Sequence, residues 1–222
     1  MAYFRCGAGN NNNDFIQIVD HQYIKDITSS SWTSKTFNIE SGDTIILCLM
    51  HRNRNIALSE NGFTLHKTTT NSSMWQYGSI YSKKYAIDTQ MTLTITPTSG
   101  RFEPFLLQLR GPVNISNWTD NDYCDPSEAS EPSISYTLVN PEKPALLFCH
   151  NGYAGDGNCH WVITADNSEY MSDFTSCNIS EWWSAIGNDC RCALLMNFGF
   201  STTQTTLEPR ERHYETLGVY LA

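Results

Sequence analysis

The sequence predicts an all-β protein, a jelly-roll-like or lectin-like antiparallel β-sandwich of about twelve strands. Three observations predict it. Apolar residues recur at every second position along most of the chain, the period of a strand with one buried face. The runs with that period are bounded by Gly, Asn, Asp, Ser and Pro, the residues that turn a chain. The composition also suits a packed domain, with 222 residues of which 40% are hydrophobic and 17% charged. That balance excludes disorder and coiled coil, and no apolar run approaches the ~18 residues that span a bilayer.

Taken in order, the amino terminus offers Tyr3 and Phe4, then GAGNNNND from Gly7 to Asp14, then the strand-like FIQIVD from Phe15 to Asp20. Two hydrophobes ahead of a turn-forming tether predict a docking arm over residues 1–20, with Tyr3 and Phe4 as its anchors on a neighbouring subunit. The sandwich proper is expected over 21–222. Strands are predicted at Thr44 to Met50, Ser79 to Ile87, Met91 to Pro97 and Phe105 to Gly111. Others fall at Pro144 to His150, His160 to Thr164, Cys192 to Phe200 and Thr216 to Ala222. In MTLTITP, Met91, Leu93 and Ile95 share one face and the threonines the other. The helix-like stretch is ISEWWSAI, Ile179 to Ile186, which Ser180 would cap.

The two halves echo each other. GDTIILCLMHR, NGFTLHKTT, SIYSKKYAI, MTLTITP and RFEPFLLQLRG follow in the order of PEKPALLFCHNGY, CHWVITADN, CALLMNFGF, TQTTLEP and HYETLGVYLA. Cys48 and Cys149 take equivalent places. The repeat covers about 32–111 and 133–222, with the polar stretch 112–132 as the link. Half-sheets this small are expected to pack face to face in one sandwich, with two small tandem sandwiches as the alternative.

Formal net charge is 14 − 23 = −9. That excess opposes polyanions, so neither nucleic acid nor membrane insertion is expected. The amino terminus lacks the charged-then-apolar layout of a signal peptide, so the eight cysteines are read as thiols made in a reducing cytosol. Cys149-His150, Cys159-His160, Cys177 and Cys190-x-Cys192 gather soft ligands in the second half, but without the C-x₂-C spacing of a zinc site. Buried thiols, and no metal, are the expectation there. A bond from Cys177 to Cys190 or Cys159 is the oxidised alternative. Calcium is the one cofactor the acidic stretches 121–125 and 153–158 leave room for, although neither has the spacing of a calcium loop. No nucleophile elbow, zinc-protease helix or phosphate loop occurs, and no enzyme is expected. A carboxylate pair assembled from separate loops for glycoside cleavage is the remaining enzymatic alternative.

Six Trp and eleven Tyr enrich the chain in rings. Trp75, Trp118, Trp182 and Trp183 lie among polar residues instead of in alternating strands. Rings beside amides and carboxylates suit a sugar, whose apolar face stacks while its hydroxyls bond. The competing reading places these rings in the core or at a subunit interface.

Gly42 to Asn53, Glu60 to Thr69 and Ser79 to Gly111 together resemble a β-sandwich module common in bacteriophage tail and tail-fibre proteins. In it a Gly-Asp opens an apolar strand, a "GW-x-L" strand follows, and a "yyK-x-A" strand precedes an alternating strand ending near an Arg-Gly turn. This chain has Phe63 in place of the Trp, Tyr81 to Ala86 for the third element, and Glu142-Lys143 in place of the second Gly-Asp. The opening MAYFRCGAG is similar to small tail-cluster proteins of phages of Gram-positive bacteria. The resemblance implies a virion structural protein made in the bacterial cytoplasm, tail or tail-fibre associated, which meets other virion subunits and host surface glycans. A homo-oligomer follows, a trimer first, because closed cyclic assemblies dominate and fibres commonly have three chains. The alternatives are a head, collar or neck decoration protein, and a free carbohydrate-binding or glycan-degrading protein.

Overall fold

The computed structural model describes residues 3–5, 15–24, 27–52, 55–69, 77–97, 102–117, 122–124, 133–137, 145–151, 161–165, 190–195, 202–207 and 214–222. Every regular element among them is a strand, and all pairings are antiparallel. The fold is therefore all-β and consistent with a sandwich. The helix-like stretch 179–186 lies outside the described residues.

The strands in chain order are β1 (Tyr3–Arg5), β2 (Phe15–Tyr23), β3 (Trp32–Thr33), β4 (Phe37–Ile39), β5 (Thr44–His51), β6 (Ile56–Leu58) and β7 (Thr64–Thr68). Next come β8 (Tyr77–Lys84), β9 (Thr89–Met91), β10 (Thr94–Pro97), β11 (Phe102–Arg110), β12 (Ser116–Asn117) and β13 (Asp122–Cys124). The last are β14 (Ser133–Thr137), β15 (Ala145–Asn151), β16 (Trp161–Ala165), β17 (Cys190–Leu195), β18 (Thr202–Leu207) and β19 (Tyr214–Tyr220). They exceed the dozen expected because several are two- or three-residue pieces, and because Thr92 and Leu93 separate β9 from β10.

The largest sheet has six strands in the order β1-β2-β11-β5-β8-β7. A three-stranded sheet β3-β10-β6 and the pair β4-β9 accompany it in the first half. The second half contributes β12-β19-β15-β17, with β13 also on β19, and a separate β14-β18-β16.

Side-chain alternation explains how these sheets stack. On β5, Ile45, Leu47 and Leu49 share a cluster with Phe37 and Ile39 of β4, Met91 of β9, Ile95 of β10, and Phe102 and Leu106 of β11. The intervening Ile46, Cys48 and Met50 belong to a second cluster with Phe105, Leu107 and Leu109 of β11. That cluster also holds Leu146 and Phe148 of β15, and Leu217, Val219 and Leu221 in and just after β19. The six-stranded sheet is thus covered on both faces, and all eight residues of β5 are buried. A strand buried on both faces reads as a continuous apolar run, which is what TIILCLM and FLLQL are. β9 and β10 are covered on one face only: Met91, Leu93 and Ile95 are buried while Thr92 and Thr96 are exposed. The expected single pair of face-to-face half-sheets is in this respect too simple, since the large sheet carries a layer on each side.

Local chemistry sets where strands stop. Pro104 sits inside β11, paired with Leu49 of β5. A proline there removes one N–H from the sheet. Its carbonyl accepts from Ile24 N at 3.3 Å on the β2 side, so the missing donor faces that side too, one residue past the last β2 pair at Tyr23 and Phe105. The ladder to β5 is untouched. A bulge between Gln108 and Leu109 shifts the β2 register, and another at His66 bends β7.

One cluster spanning β5, β11, β15 and β19 predicts that the two halves unfold together. Phe105, 1% exposed in that cluster, is the probe. Phe105→Ala is expected to cost about 3–5 kcal/mol. Urea denaturation followed by tryptophan fluorescence and by circular dichroism should give one coincident transition, displaced to lower urea in the variant.

Candidate functional site

The strongest polar constellation lies at the corner between β4 and β5. Glu40, Ser41, Gly42 and Asp43 make a tight turn in which Asp43 N donates to Glu40 O at 3.0 Å. Gly42 holds φ +94°, a left-handed value that costs a side chain but not glycine. Asp43 is fully buried, and its carboxylate accepts four hydrogen bonds. They come from Arg110 Nε at 2.8 Å, Arg110 Nη2 at 3.1 Å, Gln108 Nε2 at 2.7 Å and Glu40 N at 3.0 Å. Gln108 donates also to Asn38 O at 2.8 Å, and Arg110 pairs with Glu40 at 3.0 Å. Gly42 N donates to Tyr85 O at 2.8 Å, Tyr85 N to Asp43 O at 2.9 Å, and Ser41 N to Asp88 at 2.7 Å. The turn is tied in this way to β4, β11 and the end of β8.

Burial pushes the Asp43 carboxyl upward. The bonds from Arg110, Glu40 and Gln108, with the Arg110 charge, outweigh burial and hold it below its usual value. Arg110 is raised in turn, first by its bond to Asp43. This arrangement clasps the turn to β11, with Oδ2 accepting three of the four bonds.

The opposite end of β5 carries a second polar group. His51 and Ser79 are 3% and 2% exposed, with His51 Nε2 3.1 Å from Ser79 Oγ and Thr68 Oγ1 3.1 Å from the same oxygen. Thr69 Oγ1 accepts from Gly78 N at 2.6 Å, and Thr69 N donates to Gly78 O at 2.9 Å. These bonds pin the chain where it leaves β7 and where it returns as β8, while Tyr77 lies against His51 with ring centroids 5.9 Å apart. The Ser–His contact is sealed from solvent, which suits a strand-end lock. His66, on the bulge, contacts Ser82 Oγ at 2.7 Å, and burial holds its imidazole below the usual pKa.

Trp75, Trp118, Trp182 and Trp183 lie outside the described residues. Trp75 stands two positions before Tyr77, and Trp118 directly follows Asn117, the last residue of β12. Tyr3 and Phe4 belong to β1, in register with Gln17 and Ile16 of β2. β1 (Tyr3–Arg5) and β2 (Phe15–Tyr23) are the first two strands of the six-stranded sheet, and residue 20 falls within β2. Of the acidic stretches considered for calcium, only Asp122, Tyr123 and Cys124 are described, in β13. Among residues whose side chains are described, no three His, Cys, Asp or Glu groups gather as a metal site. Cys48 is a free thiol buried in the core. Cys149 is in register with Arg191, and His150 with Cys190.

Sequence reading gave Asp43 and Arg110 no role beyond the Gly-Asp and Arg-Gly patterns. The available signal was the polar Gln108 and Arg110 following the apolar run Phe105 to Leu107 of β11, since a buried polar group must have a partner. His51 and Ser79 carried no such signal, because their meeting depends on the β5–β8 register. No protein family, no curated protein and no solved structure matches the chain.

The Asp43 clasp predicts a pH-dependent stability. A carboxylate held below its usual 3.8 adds stability above that pH and loses it as pH falls below 3.8 and through the lowered native value. Asp43→Asn is expected to cost about 2 kcal/mol at neutral pH, less than a fully buried pair because Arg110 is partly exposed. The gap between the two proteins in urea midpoint should close as pH falls below about 4. Gly42→Ala should cost about 1 kcal/mol at every pH, through the left-handed backbone alone.

Proposed function

We propose that this chain is a structural protein of a bacteriophage particle, a tail or tail-fibre component that assembles as a homo-oligomer and contacts host surface glycans. One observation carries the reading. The Gly-Asp before β5 and the Arg-Gly after β11, on which the likeness to phage tail modules rests, form one physical unit through the Asp43–Arg110 pair. Sequence elements 67 residues apart are thereby one constraint on a sandwich corner.

The finer fold we propose is a pair of jelly rolls. With β3 and β4 counted as one strand and β9 and β10 as another, since β3 pairs with β10 and β4 with β9, β2-β11-β5-β8 reads 1-8-3-6 and β3-β10-β6 reads 2-7-4. In the second half, with β12 and β13 as one strand, β12/β13-β19-β15-β17 reads 1-7-3-5 and β14-β18-β16 reads 2-6-4 among the described strands, the same order as the first half without its β7. Register extends the correspondence. Leu109 pairs with Thr44 as Tyr220 pairs with Ala145. By register the residues matching Asp43 and Arg110 are then Pro144 and Leu221, one position on from the Glu142-Lys143 match taken from sequence, so both members of the ion pair are replaced together. In the first half β7 adds to the larger sheet at β8, a departure from the simplest jelly roll.

In this reading the tryptophans supply stacking surfaces and repeated copies supply avidity. In sequence Trp75 stands two residues before Tyr77, the first residue of β8. The experiment is binding of the fluorescently labelled chain to intact Gram-positive cells and to their purified wall glycans. Trp75→Ala is expected to weaken binding by roughly three- to tenfold, the effect of one stacked ring. Light scattering on the same preparation should give about three chains per particle. Absence of binding to any wall, or binding indifferent to replacement of all four tryptophans, overturns the glycan role, and a monomer overturns the assembly.

A further inference from the structure

The six-stranded sheet has an apolar layer on each side, whereas the short strands in front of β5 are, among the described residues, covered on one side only. Met91, Leu93 and Ile95 are buried, while Gln90, Thr92 and Thr96 are exposed and Thr94 is half-buried. Thr33 is opposite Thr94, Asn38 opposite Gln90 and Ala57 opposite Thr96. Directly paired residues share a face, so these side chains form one outer face across β3, β4, β6, β9 and β10.

No residue of those five strands is charged, in a chain whose formal net charge is −9. Charged residues that flank the strands have partners off the face. Lys35 pairs with Asp20 of β2 at 2.6 Å, Glu40 with Arg110 of β11 at 3.0 Å, and Glu60 with Lys83 of β8 at 2.6 Å. Asp88 accepts from Ser41 N, in the turn after β4, at 2.7 Å. The polar groups on the face bond to one another. Thr33 Oγ1 and Thr94 Oγ1 are 2.8 Å apart, and Gln90 Nε2 donates to Asn38 Oδ1 at 3.2 Å.

We propose that this face is where copies of the chain meet, an inference that rests on the homo-oligomer reading above and names its contact surface. Charge selects the occupant. A partner recognised by opposite charge would meet the acidic excess of this chain, and an uncharged face offers it nothing. Copies of one chain carry the same excess and repel, so they approach most closely where neither presents a charge. Hydroxyls and amides both donate and accept, which makes the face complementary to itself. Its bonded pairs keep their partners when water is removed, so covering them costs little. An uncharged centre with ion pairs at its margin is also how subunit interfaces are laid out. Strand edges offer a poorer route. β7 carries a bulge and Lys67, and β1, β3 and β6 are only two or three residues long. Those features keep an edge from pairing with another chain.

The test is the mass of the full chain by light scattering over a concentration series, for the parent, Thr92→Glu, Thr96→Glu and Leu65→Glu. Residues 92 and 96 are exposed, so the new carboxylates fit the folded chain but face like charges across the contact. Each is expected to raise the dissociation constant roughly tenfold or more, with an unchanged circular dichroism spectrum. Leu65, 48% exposed on β7, is the control, and its variant should assemble as the parent does. A second measurement needs no substitution. Hydrogen exchange of the parent should slow in peptides covering 89–97 as concentration rises through the dissociation midpoint. A monomeric parent at every concentration overturns the homo-oligomer reading, and this inference with it. An oligomer that keeps its mass in both threonine variants, with no concentration-dependent protection at 89–97, overturns the inference alone. So does dissociation by Leu65→Glu at least as strong as by either threonine variant, which puts the contact on the β7 edge.

Discussion

A single buried carboxylate at a sandwich corner ties the turn between β4 and β5 to the end of β11. Asp43 is buried without exposure, and such a charge is tolerable only when each oxygen is bonded. Arg110 supplies a two-pronged partner, Gln108 a neutral one and the backbone of Glu40 a fourth, so the carboxylate exchanges water for a complete set of donors. Because those donors come from the turn itself and from β11, the pair fixes how β5 enters its sheet next to β11. The same turn accepts and donates at Tyr85, so the end of β8 is set along with it.

From that corner the large sheet extends with both faces covered. This explains why β5 and β11 carry unbroken apolar runs, Ile45 to Met50 and Phe105 to Leu107, while β9 and β10 alternate. It also explains why the polar exceptions in β11 are so thoroughly bonded. Gln108 serves the clasp, and Glu103, fully buried, accepts from the Tyr23 hydroxyl at 2.8 Å. Apolar burial supplies most of the driving force here, and the polar groups act mainly by making alternative registers costly.

The strands of the fold were legible because period two is a physical consequence of the pleat. FIQIVD, TIILCLM, MTLTITP and FLLQLRG each lie in or across strands. Layering was less legible. A continuous apolar run states that both faces of a strand are buried, but not which element covers the second face. Here Leu146, Phe148, Leu217 and Val219 do so from a distant part of the chain. The polar constellations were hardest to read, because register decides them. Asp43 and Arg110 are 67 apart, and His51 and Ser79 are 28 apart. The tryptophans were conspicuous by composition, and their surroundings lie outside the described residues.

A double-mutant cycle on Asp43 and Arg110 tests the central claim most directly. Urea denaturation of the parent, Asp43→Asn, Arg110→Met and the double variant gives the coupling free energy between the two residues. If the corner is the constraint described, the coupling is about 1.5–3 kcal/mol, the worth of a charge-assisted bonded pair, and the double variant is scarcely less stable than either single one. Additivity within about 0.5 kcal/mol would contradict the account, leaving the two residues as independent bystanders of a fold held by apolar burial alone.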